Sequence, residues 1–320
     1  MKFSDSADMD ETDLFILVDL DPSQWERVHP ALDASIRKRI ARGAKLVVIN
    51  KNETKISSVA AVNIKDDEVS ALKKIAKAFI AKGNKAGKEM ESAISGVSTA
   101  EDTDKVAELL TGAKAPVIFS SPALFNASKN ISLLVETKVI AVPLEANARG
   151  VIVMGLSSEG RSYKEMLSGG VAVLYAIGEV PVAERPKVNF LVVQTSYLTD
   201  LAKQADLVLP SASYLESKGT IINYLGKIKD LSMAVGPAGI AKQHKDIFIA
   251  LSKIMGKPIK DSESDGEAEI KAKAKTKFSP FEKKQGLDID PAEFVDSLNL
   301  CVINSSRLLW LKETEKAVGV

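Results

Sequence analysis

The chain is predicted to be α/β, with doubly wound, mostly parallel Rossmann-like sheets in two subdomains and a C-terminal tail. Two observations carry this expectation. Apolar runs of strand length recur without polar alternation, from LFILV near the start to ADLVL well past the middle. Between them lie longer segments whose apolar residues repeat at helical spacing. Strands without a polar face are buried on both sides, and helical crossovers between them make the sheet parallel.

The elements follow in chain order. LFILV occupies Leu14 to Val18 and is the first strand. From Pro30 to Arg42 the residues Leu32, Ile36 and Ile40 recur at spacing four, one face of a helix that Gly43 stops. KLVVIN, Lys45 to Asn50, is the next strand. A lysine-rich helix over Asp67 to Lys82 places Leu72, Ile75, Ala76 and Phe79 on one side. Further strands are predicted at Pro116 (PVIFS), Lys138 (KVIAV), Val171 (VAVLYAIG), Asn189 (NFLVV) and Ala205 (ADLVL). The last ends at Pro210 and runs into a helix-prone stretch with Glu216. Lys218-Gly219-Thr220 then opens another extended run.

Three segments interrupt the alternation. Gly83 to Thr103 is small, polar and punctuated by glycine, and is expected to be a loop. Asn147 to Gly170 is a glycine-rich connection. Lys260 to Lys284 is so charged that it is expected to be a solvated linker, after which LNLCVINSSRLLWLKE regains apolar character. The expected division is 1–165, a first subdomain; 166–258, a second; and 259–320, a charged linker with a docking tail.

Composition narrows the function. The 320 residues are 45% hydrophobic and 27% charged, with 43 basic against 42 acidic side chains. That balance supplies no field for nucleic acid. No apolar run approaches the roughly 20 residues that span a bilayer, so no direct membrane insertion is expected. The acidic start, MKFSDSADMDETD, is unlike a secretory signal. Cys301 is the single cysteine and His29 and His244 the two histidines, so no disulfide and no metal centre built by this chain is expected.

Candidate chemistry is sparse. Neither GxGxxG nor GxxxxGK[ST] occurs. Gly178 follows a strand and reads as a tight turn. Asp19 and Asp21 are paired carboxylates beside Pro22, a place where acidic residues cap helices or face water. Ser120 and Ser121 lack the glycine elbow of a nucleophile, and no catalytic residue is expected. The lysines of Lys271 to Lys277 are diluted by Glu267, Glu269 and Glu282.

With these strand ends in view, FLVVQTSYLTDLAKQADLVLPSASYLESKGTIIN resembles the molybdopterin oxidoreductase family. There a strand, a T-x-T/D-x-A helix, an ADVVLP strand and an E-x-x-GT-x-x-N turn follow in this order. Thr199, Ala202, Ala205, Asp206, Leu209, Pro210, Glu216, Gly219, Thr220 and Asn223 occupy matching places. LYAIGEVPV resembles the family's LYVLGENPV, and ANARGVIVMG its xNxxGxxxMG. The segment from Asp13 to Asn50 is similar to the family's DLILVVGANP…GAKLIVVDPR unit. The family order runs from Asp13 to about Pro258.

The resemblance implies a pterin-dinucleotide crevice framed by Gly178, Glu216, Gly219, Thr220 and Asn223. The departures imply that this site is vestigial. Val18-Asp19-Leu20-Asp21 stands where the family has a glycine turn, placing a side chain and a negative charge where pyrophosphate would lie. Asn50-Lys51-Asn52 replaces Asp-Pro-Arg, Ile221 and Ile222 replace more polar neighbours, and Lys227 stands near the place of a family arginine. Neither the family's cysteine-rich iron–sulfur module nor its metal ligand is expected upstream of Asp13. The pattern is similar to the molybdopterin-like portion of the large iron–sulfur chain of complex I. It implies a cytoplasmic structural subunit of an NADH:quinone oxidoreductase, peripherally associated with the inner membrane through its complex. Iron–sulfur clusters would reside in a partner subunit, beside other peripheral-arm subunits, with no cofactor in this chain. The alternative is half of a split formate dehydrogenase-like enzyme that binds molybdopterin guanine dinucleotide. A free-standing binding protein that uses the old crevice for another ligand is a third possibility.

Overall fold

The computed structural model describes residues 9–24, 29–143, 147, 150, 163–178, 180, 182, 184–259 and 277–283. The expected glycine-rich connection lies mostly outside these residues. So do the KAKAKTK run up to Thr276, Cys301 and the tail beyond Lys283. The chain divides into two units. The first comprises 1–157, 221–229 and 266–286; the second comprises 158–220, 230–265 and 287–320.

The first unit is a five-stranded parallel sheet of order β3-β2-β1-β4-β5. Its strands are β1 (Leu14–Val18), β2 (Lys45–Ile49), β3 (Val62–Ile64), β4 (Pro116–Ser120) and β5 (Lys138–Ala141). β1 lies centrally, pairing Ile16 with both Val47 and Ile118. The lack of polar alternation has its reason here. Leu14, Ile16 and Val18 face one core, while Phe15 and Leu17 face the other. Successive side chains point to opposite faces, so a strand covered on both sides has to be apolar throughout.

Helices supply the covers. α1 (Pro30–Ile40) buries Leu32 and Ile36 on the Phe15 face. On the opposite face lie α2 (Glu68–Ala81), α3 (Lys88–Ala93), α4 (Glu101–Gly112) and α5 (Phe125–Lys129). Asp67 caps α2 by accepting from the Ser70 amide, and the four residues predicted for its apolar face are all buried. The segment Gly83 to Thr103 is not a plain loop: Met90 and Ile94, four apart, fold α3 against this core. Two apolar residues in a polar stretch were enough, because the neighbouring helices supply the rest of the hydrophobic surface.

The second unit holds three parallel strands in sequential order, β6 (Val173–Ile177), β7 (Phe190–Thr195) and β8 (Leu207–Pro210). Leu174, Ala176, Leu191 and Val193 form one buried face with Met166 and Leu167 of α6 (Tyr163–Ser168) and with Leu201 and Ala202. On the other face Tyr175 packs against Phe248 of α7 (His244–Ile254), the rings tilted and their centroids 6.1 Å apart. Near the strand starts that face is open, with Val173 60% exposed beside exposed Phe190 and Leu207. The stretch after Pro210 is a turn rather than a helix, because Glu216 folds back to accept from the Ser213 amide at 2.8 Å.

A hairpin of β9 (Gly219–Ile222) and β10 (Ile228–Leu231) follows. Its tip, Ile221–Lys229, counts with the first unit, where Tyr224 and Leu225 pack against the Phe15-face core.

Phe119 is fully buried at the sheet centre and stacks with Phe15 at 6.4 Å. Phe119→Ala is expected to destabilise the first unit by about 3–5 kcal/mol, read from its urea unfolding midpoint, because cavity formation adds to lost transfer energy.

Candidate functional site

The sheet order of the first unit reverses between β1 and β4, and in doubly wound sheets ligands bind outside the carboxyl ends of strands at such a switch point. The residues there are Asp19 to Asp21 after β1, Asn50 to Asn52 after β2 and Ser121 after β4. Asp19 has φ +53°, the one non-glycine residue with positive φ among the described residues. That region costs an L-residue roughly 1–2 kcal/mol, and aspartate tolerates it better than most. The Asp19 carboxylate is held on both sides. Its Oδ2 accepts from the Ser121 hydroxyl at 2.9 Å and pairs with the Lys283 ammonium at 2.8 Å. The first bond is charge-assisted and of a kind worth about 1.5–3 kcal/mol. The ion pair is partly exposed and adds up to about 1 kcal/mol.

An anion at a strand end needs free backbone amides. Here several are already engaged. Asp19 N donates to Ile49 O at 3.0 Å and Ser121 N to Val18 O at 3.0 Å. Lys51 N donates to buried Glu68 Oε1 at 2.9 Å and Asn52 N to Asn50 Oδ1 at 2.9 Å. Buried Asp21 takes two more, from Ser23 N at 3.2 Å and Lys55 N at 2.6 Å. Carboxylates and carbonyls thus fill the acceptor role that a pyrophosphate would play. The residues of this turn do not fit the family's dinucleotide.

His29 is bound away from this turn. His29 Nε2 lies 2.9 Å from Pro143 O, and the Tyr224 ring stands edge-on to the imidazole at 5.7 Å. Burial lowers the His29 pKa, against the raising effect of the Pro143 bond.

In the second unit, Gly178 takes φ +80° after β6, a conformation that favours glycine, and donates its N–H to Gln194 O at 2.8 Å. Fully buried Gln194 accepts from the Tyr175 hydroxyl and donates its amide to His244 Nδ1 at 2.6 Å. His244 therefore carries its proton on Nε2 when neutral, and burial lowers its pKa. Glu216 accepts amides from Ser213 at 2.8 Å and Ala238 at 3.1 Å, and the Ser213 backbone bond chiefly lowers its pKa. Gly219 starts β9. The Thr220 hydroxyl reaches Asp230 Oδ1 at 3.3 Å across the hairpin. Asn223 closes the hairpin tip, its Oδ1 accepting from Lys227 N at 2.9 Å. Each of these five residues has a structural partner or conformation, with Asn223 in the first unit and the others in the second.

Asp206 of the same matched segment ties the start of β7, accepting from Leu191 N at 2.7 Å while pairing with Arg185 at 2.6 Å. That arginine chiefly lowers the Asp206 pKa. Thr195 and Ser211 differ. Both are buried at the ends of β7 and β8, and neither hydroxyl has a partner among the described residues. Fully buried Ser120 at the end of β4 likewise has a hydroxyl with no partner among the described residues.

Sequence reasoning missed Lys283, Ser121 as a partner of Asp19, and the Tyr175–Gln194–His244 chain. The aromatic pair in KFSPFEK and the glutamine inside an apolar strand were the available signals. Among the described residues no group of three His, Cys, Asp or Glu is arranged to hold a metal, and no helix is long and apolar enough to cross a membrane.

Fold and strand-end geometry together define a two-unit, doubly wound α/β protein with its ligand edge at a switch point. The chain belongs to the molybdopterin oxidoreductase family, whose family model matches residues 2–254. It is 35% identical over 104 residues to an NADH-quinone oxidoreductase subunit of Rhizobium meliloti, covering 29% of this chain and 12% of that protein. NADH-quinone oxidoreductase subunit 3 of Thermus thermophilus is 31% identical over 183 residues, 53% of this chain and 23% of that protein. The F420-dependent formate dehydrogenase subunit alpha of Methanocaldococcus jannaschii is 35% identical over 112 residues, 31% of this chain and 17% of that protein. The matches thus span less than a quarter of each relative. Acetylene hydratase from Pelobacter acetylenicus shares the fold, with TM-score 0.54 at 14% identity over 80% of this chain and 48% of that one.

His29 and His244 both have folded pKa values below the ordinary 6.5. Above about pH 6.5 both states hold them neutral; below it the unfolded chain takes up protons first, so stability falls as pH drops. The melting temperature is expected to decline between about pH 7 and about pH 5, and His29→Gln with His244→Gln to flatten that decline.

Proposed function

We propose that this chain is a non-catalytic, structural subunit of a respiratory complex I-type NADH:quinone oxidoreductase. It docks to an iron–sulfur subunit among the other peripheral-arm subunits. It sits at the cytoplasmic side of the inner membrane through that complex alone, with the clusters in its partner. The observation that carries the reading is the switch point, where Asp19, Ser121 and Lys283 take the place a pyrophosphate would need. Gly178, Glu216, Gly219, Thr220 and Asn223 then serve the turns and the hairpin as inherited architecture. Two matched relatives named as NADH-quinone oxidoreductase subunits support this choice within the family. The open face at Val173, Phe190 and Leu207 offers a partner an apolar surface.

A second reading rests on Thr195 and Ser211. Buried hydroxyls without partners at strand ends are what a ligand would satisfy. They favour a chain that contributes half of a split formate dehydrogenase-like molybdenum or tungsten enzyme, as does the matched formate dehydrogenase subunit alpha.

Metal and pterin analysis of the complex isolated through this chain separates the two. Iron with only trace molybdenum, tungsten and pterin is the expected result; stoichiometric metal with a pterin dinucleotide overturns the first reading. Phe190→Asp is expected to leave the circular dichroism unchanged and to cut co-isolation of the iron–sulfur subunit about tenfold or more, as loss of an apolar anchor does.

A further inference from the structure

We infer that the first unit carries a docking groove for an extended peptide, and that its occupant is the chain's own segment Lys277–Lys283, which bolts the switch-point crevice shut.

The segment lies in a stretch whose composition predicts a solvated linker, yet it is seated. Phe281 is 7% exposed and joins the core that contains α2 to α5, with Phe278 packed beside it and the two rings edge to face at 6.2 Å. A hollow of about 590 Å³ adjoins the segment, lined from the other side by Lys73 of α2 and by Lys88, Ser92 and Ala93 of α3. Between the two phenylalanines the backbone is read by one side chain. Asn130, fully buried after α5, donates Nδ2 to Ser279 O at 2.6 Å and accepts from Ser279 N at 3.1 Å through Oδ1. An asparagine amide has one donor end and one acceptor end, and here both engage the same residue, as a neighbouring strand would. Undocking the segment would break both Asn130 bonds and expose Phe281, which favours the seated state.

Lys283 is the third anchor. Its ammonium reaches Asp19 Oδ2 at 2.8 Å. Burial opposes its charge, but the Asp19 hydrogen bond and charge, with Glu68 and Asp67 at the start of α2, leave its pKa raised. The notch is therefore acidic, and the segment presents a cation to it. Three different contacts, apolar, backbone-directed and ionic, fall on one seven-residue stretch in the order F-S-P-F-x-K. An anion approaching the β1 and β4 ends would have to displace Lys283 and would then face Asp19. The inference deepens the reading of this crevice as closed, but its test does not depend on metal or partner content.

Hydrogen exchange on the full chain is the test, with the peptide KFSPFEKK as probe. In the wild type the Ser279 amide is expected to be protected. Phe281→Ala should speed its exchange about tenfold or more, with a smaller rise at Asp19 and Ser121, as for a locally undocked segment. Lys283→Glu should loosen the Asp19 turn, and Lys283→Arg should retain it. Added peptide should protect the groove of the Phe281→Ala chain and leave the wild type unchanged. Unaltered exchange in Phe281→Ala, or equal peptide binding to wild type and variant, would overturn the inference. Should Phe281→Ala fail to fold, Ser279→Pro removes the N–H that Asn130 Oδ1 accepts, and the exchange is then read at the Phe281, Asp19 and Ser121 amides.

Discussion

The Asp19 carboxylate is the constraint on which the first unit's ligand edge depends. One oxygen binds the Ser121 hydroxyl from the end of β4 and the Lys283 ammonium from a segment more than two hundred residues away in sequence. That arrangement holds a left-handed residue at the place where the sheet order reverses. A glycine there would adopt the conformation freely but would bind neither neighbour. The same side chain thus closes the turn, joins two strand ends and gives the distant segment its ionic anchor.

Closure at that edge rests on a sheet that leaves little freedom around it. β1 pairs on both sides in register, and its alternate residues enter two separate cores. A one-residue slip would exchange the two faces, moving Phe15 and Leu17 into space shaped for Ile16 and Val18. The carboxyl end of β1 is therefore placed rigidly, and so is Asp19. The second unit is built on a looser plan. One face of its three-stranded sheet is covered by α6 and its neighbours, and the other partly by α7. The exposed strand starts follow from that incomplete cover, and they give the second unit an apolar surface that the first unit's sheet lacks.

The strands were legible because burial on both faces leaves an uninterrupted apolar run in the sequence, and α1 and α2 because their apolar residues repeat every three or four positions. What escaped was non-local. Nothing near Lys283 in sequence reveals that Asp19 awaits it, and KFSPFEK is submerged when charge is averaged over its flanks. The three-residue strand β3 is too short to have a period. Asp19 was legible as an obstacle to pyrophosphate, but its partners depended on where β4 and the distant segment come to rest. Glu216 and Asn223 were legible as matching residues, though not as the groups that close a turn and a hairpin tip.

A switch point leaves polar groups at strand ends that must be satisfied by something, whether ligand, water or protein. In the first unit protein groups do much of this: carboxylates and carbonyls accept strand-end amides, and an ammonium offsets the charge that Asp19 introduces, while the buried Ser120 hydroxyl at the end of β4 has no partner among the described residues. In the second unit Gln194 is satisfied by Tyr175 and His244, while the Thr195 and Ser211 hydroxyls beside it have no such partner among the described residues. Each edge has its own complement of donors and acceptors, and each keeps a buried hydroxyl without a partner among the described residues. A ligand at the first unit's edge would have to break several existing bonds before it formed its own.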